Sequence, residues 1–312
     1  MTTKAYDLIV IGGGPAGMSA ATEAAEHGLH TALIDEQSAV GGQIYRAVDE
    51  VVTRRADDLP MLGEEYAYGE TVANAFRAST AEYISGHTVW QLDQDGSIWS
   101  SDGAKAHAFQ AKNIILATGA LERPVPIPGW TLPGVMTAGA AQILLKTAGM
   151  IPVGKIVIVG SGPLLLLVAD QLIKAGADVE AVLDTTGVMD YVRGAPHLLR
   201  ATKSWPYLQK GLKLKRAIKD AGVPIYSGAH EFLISGDGQA EQIGFTSGGL
   251  RRTLRVSTVL LHQGVVPNTQ ASRQLRLAHG WHKTQRYWYP RVDEWGHSDV
   301  PAIFVAGDGA GV

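Results

Sequence analysis

An α/β protein with two parallel-sheet domains is the fold class this sequence predicts, on three observations. Leu8-Ile9-Val10-Ile11 runs into Gly12-Gly13-Gly14-Pro15-Ala16-Gly17, and a helical pattern follows through Ala20, Ala21, Ala24 and Ala25. Ile156-Val157-Ile158-Val159-Gly160-Ser161-Gly162-Pro163 restates residues 8–15 almost position for position, with a helix (164–175) and a strand (178–183) behind it. The length, 312 residues, suffices for about two domains, each burying its own core. Each unit is Rossmann-like: strand, glycine turn, helix and a second strand.

The first unit explains itself residue by residue. Gly12 lets the strand turn sharply into the helix, Gly14 lets backbone approach a pyrophosphate with no Cβ in the way, and Gly17 lets helix and strand pack closely. Phosphates then sit over the helix N-terminus, where unpaired N–H groups and the helix dipole favour anions. A second strand, residues 30–34, ends on Asp35-Glu36. That is a little under ~20 residues past Gly17, where a ribose-binding carboxylate belongs. Dinucleotide binding follows.

Val40-Gly41-Gly42-Gln43-Ile44-Tyr45-Arg46 is next, a glycine turn carrying a polar side chain. An amphipathic helix is expected over 64–79, then strands at 83–84, 88–92, 97–99 and 106–110, with turns at Asp95-Gly96 and Asp102-Gly103. Residues 113–117 read as a buried strand closed by Thr118-Gly119. Pro124, Pro126, Pro128-Gly129 and Pro133-Gly134 form the clearest linker signal, followed by a helix over 138–147.

The second unit departs from the first at one position. Leu165 stands where the third glycine belongs, and a bulky side chain there pushes helix from strand, so occupancy of this site stays open. If filled, Asp184 favours a free ribose 2′-OH, and no Arg follows it directly. That leans toward NAD or another adenine nucleotide. Residues 196–221 read as a long helical region in which Lys210, Lys213, Lys215, Arg216 and Lys219 form a solvated face near the helix C-terminus. Strands resume at 224–226, 231–234, 242–246 and 254–261.

Composition excludes several classes. A hydrophobic share of 46% against 18% charged residues describes an ordinary globular chain. A net charge of -3 gives no electrostatic reason to expect nucleic acid or an acidic membrane as partner. No cysteine is present, which removes dithiol redox chemistry, thiolate zinc and Cys-ligated iron–sulfur clusters from this sequence. The first apolar run is a strand long and reads as no signal peptide, and no apolar stretch nears the ~18 residues of a membrane span. A cytoplasmic location without a transmembrane segment is the expectation.

The last segment, Asp299-Val300-Pro301-Ala302-Ile303-Phe304-Val305-Ala306-Gly307-Asp308-Gly309, is a strand running into Gly-Asp-Gly. It resembles the second flavin signature of the two-dinucleotide-domain flavoproteins, the thioredoxin-reductase and glutathione-reductase superfamily. The resemblance implies FAD, with Asp308 on its ribityl chain. It lays the Gly41-Gly42-Gln43 turn against the isoalloxazine edge and puts Ala117-Thr118-Gly119 at the crossover near the cofactor. Gly264-Val265-Val266-Pro267-Asn268 is similar to the segment returning the chain to the FAD domain. An FAD domain of residues 1–123 and 263–312, with an inserted NAD(P)-type domain of 124–262, is thereby implied. Without a Cys-x-x-Cys, the chain is no disulfide reductase.

Three stretches resemble a narrower group, the FAD-containing α subunits of opine oxidase, hydroxyproline dehydrogenase and hydrogen cyanide synthase. They are Asp35-Glu36-Gln37 with Gly41-Gly42-Gln43-Ile44-Tyr45-Arg46, Thr118-Gly119-Ala120-Leu121-Glu122-Arg123-Pro124, and Gly160-Ser161-Gly162-Pro163-Leu164-Leu165. In that group a β subunit of amino-acid-oxidase type oxidises an amine, and the α subunit, with iron–sulfur centres, carries electrons away. Its members continue past Gly-Asp-Gly into a helix that packs on the flavin and a Cys-rich [2Fe–2S] region. This sequence ends at Val312. The expectation is either a truncated product or a missing cluster, with FAD less tightly retained.

The resulting cofactor set is Gly12, Gly14, Pro15, Ala16, Gly17, Asp35, Glu36, Gly42, Gln43, Thr118, Gly119, Gly307 and Asp308 for FAD, and Gly160, Gly162 and Asp184 for the second nucleotide. No catalytic acid–base pair stands out. The ten histidines show no metal spacing, and His279 and His282 have no nearby carboxylate. Tyr45 reads equally as a ring-stacking or a core residue. The aromatic stretch 281–295, interleaved with Lys283, Arg286 and Arg291, reads as a subunit interface rather than a base-stacking surface. The leading function is an FAD-dependent oxidoreductase subunit passing electrons within an opine- or amino-acid-dehydrogenase complex. The alternatives are a self-sufficient NADH-dependent flavin reductase and a non-catalytic nucleotide-binding scaffold.

Overall fold

The computed structural model describes residues 3–187, 190 and 205–312. Two units divide the chain: Met1–Leu121 with Val265–Val312, and Glu122–Gly264.

The first unit is built on β1 (Lys4–Ile11), α1 (Pro15–Glu26) and β2 (Thr31–Asp35). Leu8 to Ile11 form a continuous apolar run because both faces of this parallel strand are covered; Ile9 and Val10 are wholly buried. Pro15, whose missing N–H costs nothing in a first turn, opens α1, and Met18, Ala21 and Ala25 give it a buried stripe at helical spacing. The sheet continues through β3 (Glu82–Ser85), β4 (Thr88–Leu92), β5 (Ser97–Ser101) and β6 (Ala106–Leu116). Its order is β3-β2-β1-β6-β5-β4, with the strand Ile303–Val305 also paired to β6. The pairs β1–β2, β1–β6, β2–β3 and that of Ile303–Val305 are parallel, whereas β4–β5–β6 is an antiparallel meander.

Two local expectations change here. The strands expected at 106–110 and 113–117 are one, because nothing at Ala111 or Lys112 breaks it: Ala111 is buried and Lys112 Nζ reaches Asp7 Oδ1 at 2.7 Å. The helix expected over 64–79 is two, Glu64–Ala67 and Gly69–Ala78. Gly69 lies against the Tyr45 ring, which occupies the place of a Cβ. Tyr45 therefore packs on this helix. The unit's core gathers Ile9, Ile34, Ile114, Leu116 and Ile303 between these layers.

The second unit holds a parallel sheet in the order Ile225–Ser227, Val179–Asp184, Ile156–Gly160, Thr258–His262, Val135–Thr137. An antiparallel sheet of His230–Ser235, Gln242–Ser247 and Leu250–Arg255 accompanies it. The strand expected over 254–261 is thus split between two sheets. Its break falls where the Val256 N–H donates to Glu241 O and the Ser257 N–H to Lys155 O. Helices Ala138–Ala148, capped by Thr137 Oγ1 on the Ala140 N–H, and Pro163–Lys174 complete the unit. Of the helical region expected from 196, residues 196–204 lie outside the described residues, and the remainder is the helix Trp205–Asp220. Phe245, Val157, Val159, Leu183 and Ile243 centre its core. Among the described residues, no helix is long and apolar enough to cross a membrane.

Candidate functional site

β1 ends at Ile11, and the chain turns at Gly12, whose φ of 110° is left-handed territory. A Cβ on Gly12 would strike the Ala117 carbonyl, and one on Gly17 would strike the carbonyl of Gly12 itself. The glycines therefore let β1, α1 and the end of β6 converge. At the helix start no side chain caps the first N–H groups, so the α1 N-terminus keeps its donors for an anion.

Around that terminus the structure gathers most of the first predicted set. The Asp35 carboxylate folds back on the loop, Oδ2 accepting the Gly13 N–H and Oδ1 the Gln37 N–H at 2.6 Å. Burial pushes the Asp35 carboxyl above its ordinary value, more than these N–H bonds lower it. The Gly41 N–H donates to Gly13 O at 2.8 Å, and a Cβ on Gly42 would stand 2.7 Å from the Gly14 Cα. From the far end of the chain, the Ala306 N–H donates to Leu116 O at 3.0 Å, and a Cβ on Gly307 would lie 2.8 Å from that of Ala16. Gly309 sits against Gly119 and Thr118 Oγ1, and the Asn268 N–H donates to Gly119 O at 2.9 Å. Asp308 is exposed, its carboxylate unpartnered among the described residues. Gln43 and Glu36 are exposed at the rim, and Glu36 accepts from Gln37 Nε2 at 3.2 Å.

Uncapped helix-terminal donors, the close backbone approach of Gly14 and Gly42, a partly buried acid beside the loop and an exposed acid at Gly307–Gly309 make a set that suits a long anionic dinucleotide. The donor set fits FAD. Gly12 and Asp308, nearly the length of the chain apart, thus belong to one cluster in one unit.

Gly160 and Asp184 are register neighbours in the other unit, and Gly162 is the N-cap of the helix Pro163–Lys174. Gly160 turns against the His262 carbonyl, the Thr185 N–H donates to Gly160 O at 2.8 Å, and Asp184 Oδ1 accepts the Thr186 N–H at 2.9 Å. Leu165 is 1% exposed, absorbed in the core. Two features here were not visible in the sequence. Lys215 Nζ lies 3.2 Å from Asp184 Oδ2, so this cation is partly covered and paired with the predicted ribose acid. The buried His262 and the partly buried Glu122 pair at 2.6 Å, Glu122 also accepting the Gly139 N–H at 2.8 Å. Only the packing of elements distant in sequence brings either partner in reach.

The remaining candidates divide. His279 is taken by Ser272 Oγ and Leu277 O, and His282 Nδ1 accepts the Gln285 N–H. The aromatic stretch forms the hairpin His279–His282 and Tyr287–Pro290, with Trp281 and Trp288 about half exposed and their rings 5.4 Å apart. A third group, His87, Asp102 and His107, was missed altogether.

Comparison with known proteins bears on this geometry. The family described as pyridine nucleotide-disulphide oxidoreductase matches residues 6–312. The chain is 41% identical to the A subunit of opine oxidase from Agrobacterium tumefaciens, over 98% of this chain and 62% of that one. It is 34% identical to hydrogen cyanide synthase subunit HcnB of Pseudomonas aeruginosa, over 97% of this chain and 66% of that one. It therefore spans roughly three fifths of the length of the opine oxidase relatives from Agrobacterium tumefaciens and Rhizobium meliloti. In solved structures, thioredoxin reductase of T. acidophilum shares the fold with a TM-score of 0.67 at 19% identity, covering 98% of this chain and 91% of that one. L-proline dehydrogenase of P. horikoshii does so with a TM-score of 0.68 at 18% identity, over 100% of this chain and 52% of that one.

Proposed function

The chain belongs to the pyridine nucleotide-disulphide oxidoreductase family of FAD-dependent oxidoreductases, and from that premise we propose that it is the FAD-carrying α subunit of an opine or amino-acid dehydrogenase complex. The observation that carries the reading is the 41% identity to the opine oxidase A subunit along 98% of the chain. The cluster around the α1 N-terminus supports it. Lacking cysteine, the chain has no redox-active disulfide.

The residues divide the work. Gly12, Gly14, Pro15, Ala16 and Gly17 shape the loop and leave helix-terminal N–H groups for the pyrophosphate. Asp35, held by Gly13 and Gln37, presents a fixed acceptor to the ribose beside Glu36. Gly42 and Gln43 face the ring edge, Thr118 and Gly119 floor the crossover, and Gly307 and Asp308 take the ribityl chain. Bound flavin supplies hydride acceptance and the release of electrons singly or in pairs. The substrate amine is oxidised on a partner β subunit of amino-acid-oxidase type, and an iron–sulfur centre elsewhere in the complex receives the electrons. The exposed Trp281–Trp288 hairpin offers an interface, and a cytoplasmic location belongs to the same reading. NAD or another adenine nucleotide is assigned to Gly160, Gly162 and Asp184.

Co-expression with an amino-acid-oxidase-type flavoprotein chain tests this reading. The expected result is a co-purifying complex in which an amino-acid or opine substrate bleaches this chain's flavin without oxygen. A chain bleached by NADH alone at turnover rates, with no partner, would instead establish the stand-alone flavin reductase. A chain that binds no flavin would leave only the scaffold.

A further inference from the structure

The β4–β5–β6 meander carries a cluster that the flavin reading does not use. His87 stands just before β4, Asp102 in the turn after β5, and His107 near the start of β6. Antiparallel pairing sets Thr88 opposite Ser101 and Ser100 opposite His107, which draws all three side chains to one end of the meander. Their ligand atoms lie within 4.8 Å of one another, and the two imidazole rings are 4.7 Å apart.

Two of the three donors are held from behind. Asp102 Oδ1 accepts the N–H groups of Ala104 and Lys105 at 2.9 and 2.7 Å, leaving Oδ2 turned to His107 Nε2 at 2.9 Å. His87 Nδ1 hydrogen-bonds with Ser100 Oγ at 2.8 Å, and Ser100 is wholly buried. With Nδ1 engaged, Nε2 is the His87 nitrogen left for a ligand. A fixed outer partner on each ligand is what orients the donors of metal sites. Both imidazoles also line one surface cleft, so the cluster is reachable from solvent.

We propose that His87, Asp102 and His107 form a binding site for a divalent transition-metal ion of the Zn2+ class. Two imidazoles and one carboxylate suit such ions, whereas Mg2+ and Ca2+ demand more oxygen ligands than this set offers. Three protein donors leave a coordination position for water. Bonds of about 2.0–2.2 Å in tetrahedral geometry separate donors by roughly 3.4 Å, so the cluster closes by side-chain rotation. The ion would clip the turn after β5 to the residue before β4, fastening the edge of the sheet.

Calorimetry on the full chain, stripped with chelator and titrated with Zn2+, tests the site. The expected result is a single high-affinity site, weakened roughly tenfold or more by His87→Gln, His107→Gln or Asp102→Asn, and about tenfold by Ser100→Ala, which removes only the orienting hydroxyl. His279→Gln leaves the affinity unchanged, and Mg2+ in the same cell gives no heat. Each variant's thermal midpoint in chelator reports whether it folds. X-ray absorption of the Zn2+-loaded native chain, which needs no variant, should show two imidazoles and a carboxylate oxygen. Zn2+ affinity unmoved by the three ligand substitutions, a native chain that binds no Zn2+, or a spectrum without paired imidazoles overturns the proposal.

Discussion

In both glycine loops an apolar strand turns at a glycine whose missing Cβ makes room for a backbone carbonyl, that of Ala117 in the first and of His262 in the second. The loops part at the acid that follows. Asp35 reaches back to its own loop and accepts the Gly13 N–H, so the carboxylate is fixed to the loop. Asp184 accepts no hydrogen bond from its loop's glycines; Lys215 meets it from the helix Trp205–Asp220, and Asp184 is buried. They part again at the third glycine position, where Gly17 touches the turn and Leu165 fills a core. A glycine fingerprint thus marks where a strand turns. The partners of the downstream acid differ, loop backbone at Asp35 and a helix lysine at Asp184.

Changing the third position in each loop breaks the comparison most severely. In Gly17→Leu the side chain meets the Gly12 carbonyl, which cannot move without the strand. Flavin retention should be lost and stability should fall by about 3 kcal/mol or more, the upper range of overpacking, as read by flavin absorbance and denaturant midpoint. Leu165→Ala should cost about 2–4 kcal/mol through the cavity it leaves, with the flavin content of the folded chain unchanged. Equal flavin loss in both variants would erase the distinction between the loops.

Changes at the acids are smaller. Lys215→Met strands a buried Asp184 charge and should cost about 1–3 kcal/mol, reduced because the lysine is partly exposed. Adding Asp184→Asn should restore most of it. Asp35→Asn should weaken FAD binding about tenfold to a hundredfold by removing a charged acceptor, measured by fluorescence titration. The same variant carries a pH signature in the flavin-free chain. Burial raises the folded Asp35 carboxyl, so the folded chain keeps this proton where the unfolded chain has released it. Stability therefore falls as pH rises from the unfolded aspartate value, about 3.9, through the raised folded one, and Asp35→Asn removes that slope.

Much of this was legible beforehand because it is local. Gly12 to Gly17 and residues 156–163 announce their turns by composition, and Asp35 by its distance along the chain. Thr118, Gly119, Gly307 and Asp308 were placed through resemblance, and their meeting depends on the strand Ile303–Val305 pairing with β6. What stayed hidden is what long-range pairing creates: Lys215 on Asp184, Glu122 on His262, and two histidines on either side of Asp102. The merged β6 and the strand split at Val256 escape a local reading because edge contacts, not propensity, settle where those strands end.

The central claim is that the first loop and the distant Gly307–Gly309 segment hold one FAD. Denaturing the purified chain and identifying the small molecule it releases tests this most directly. The account predicts stoichiometric FAD, depleted in Gly17→Leu. A chain that releases no flavin, and that leaves added FAD fluorescence unquenched on titration, contradicts it.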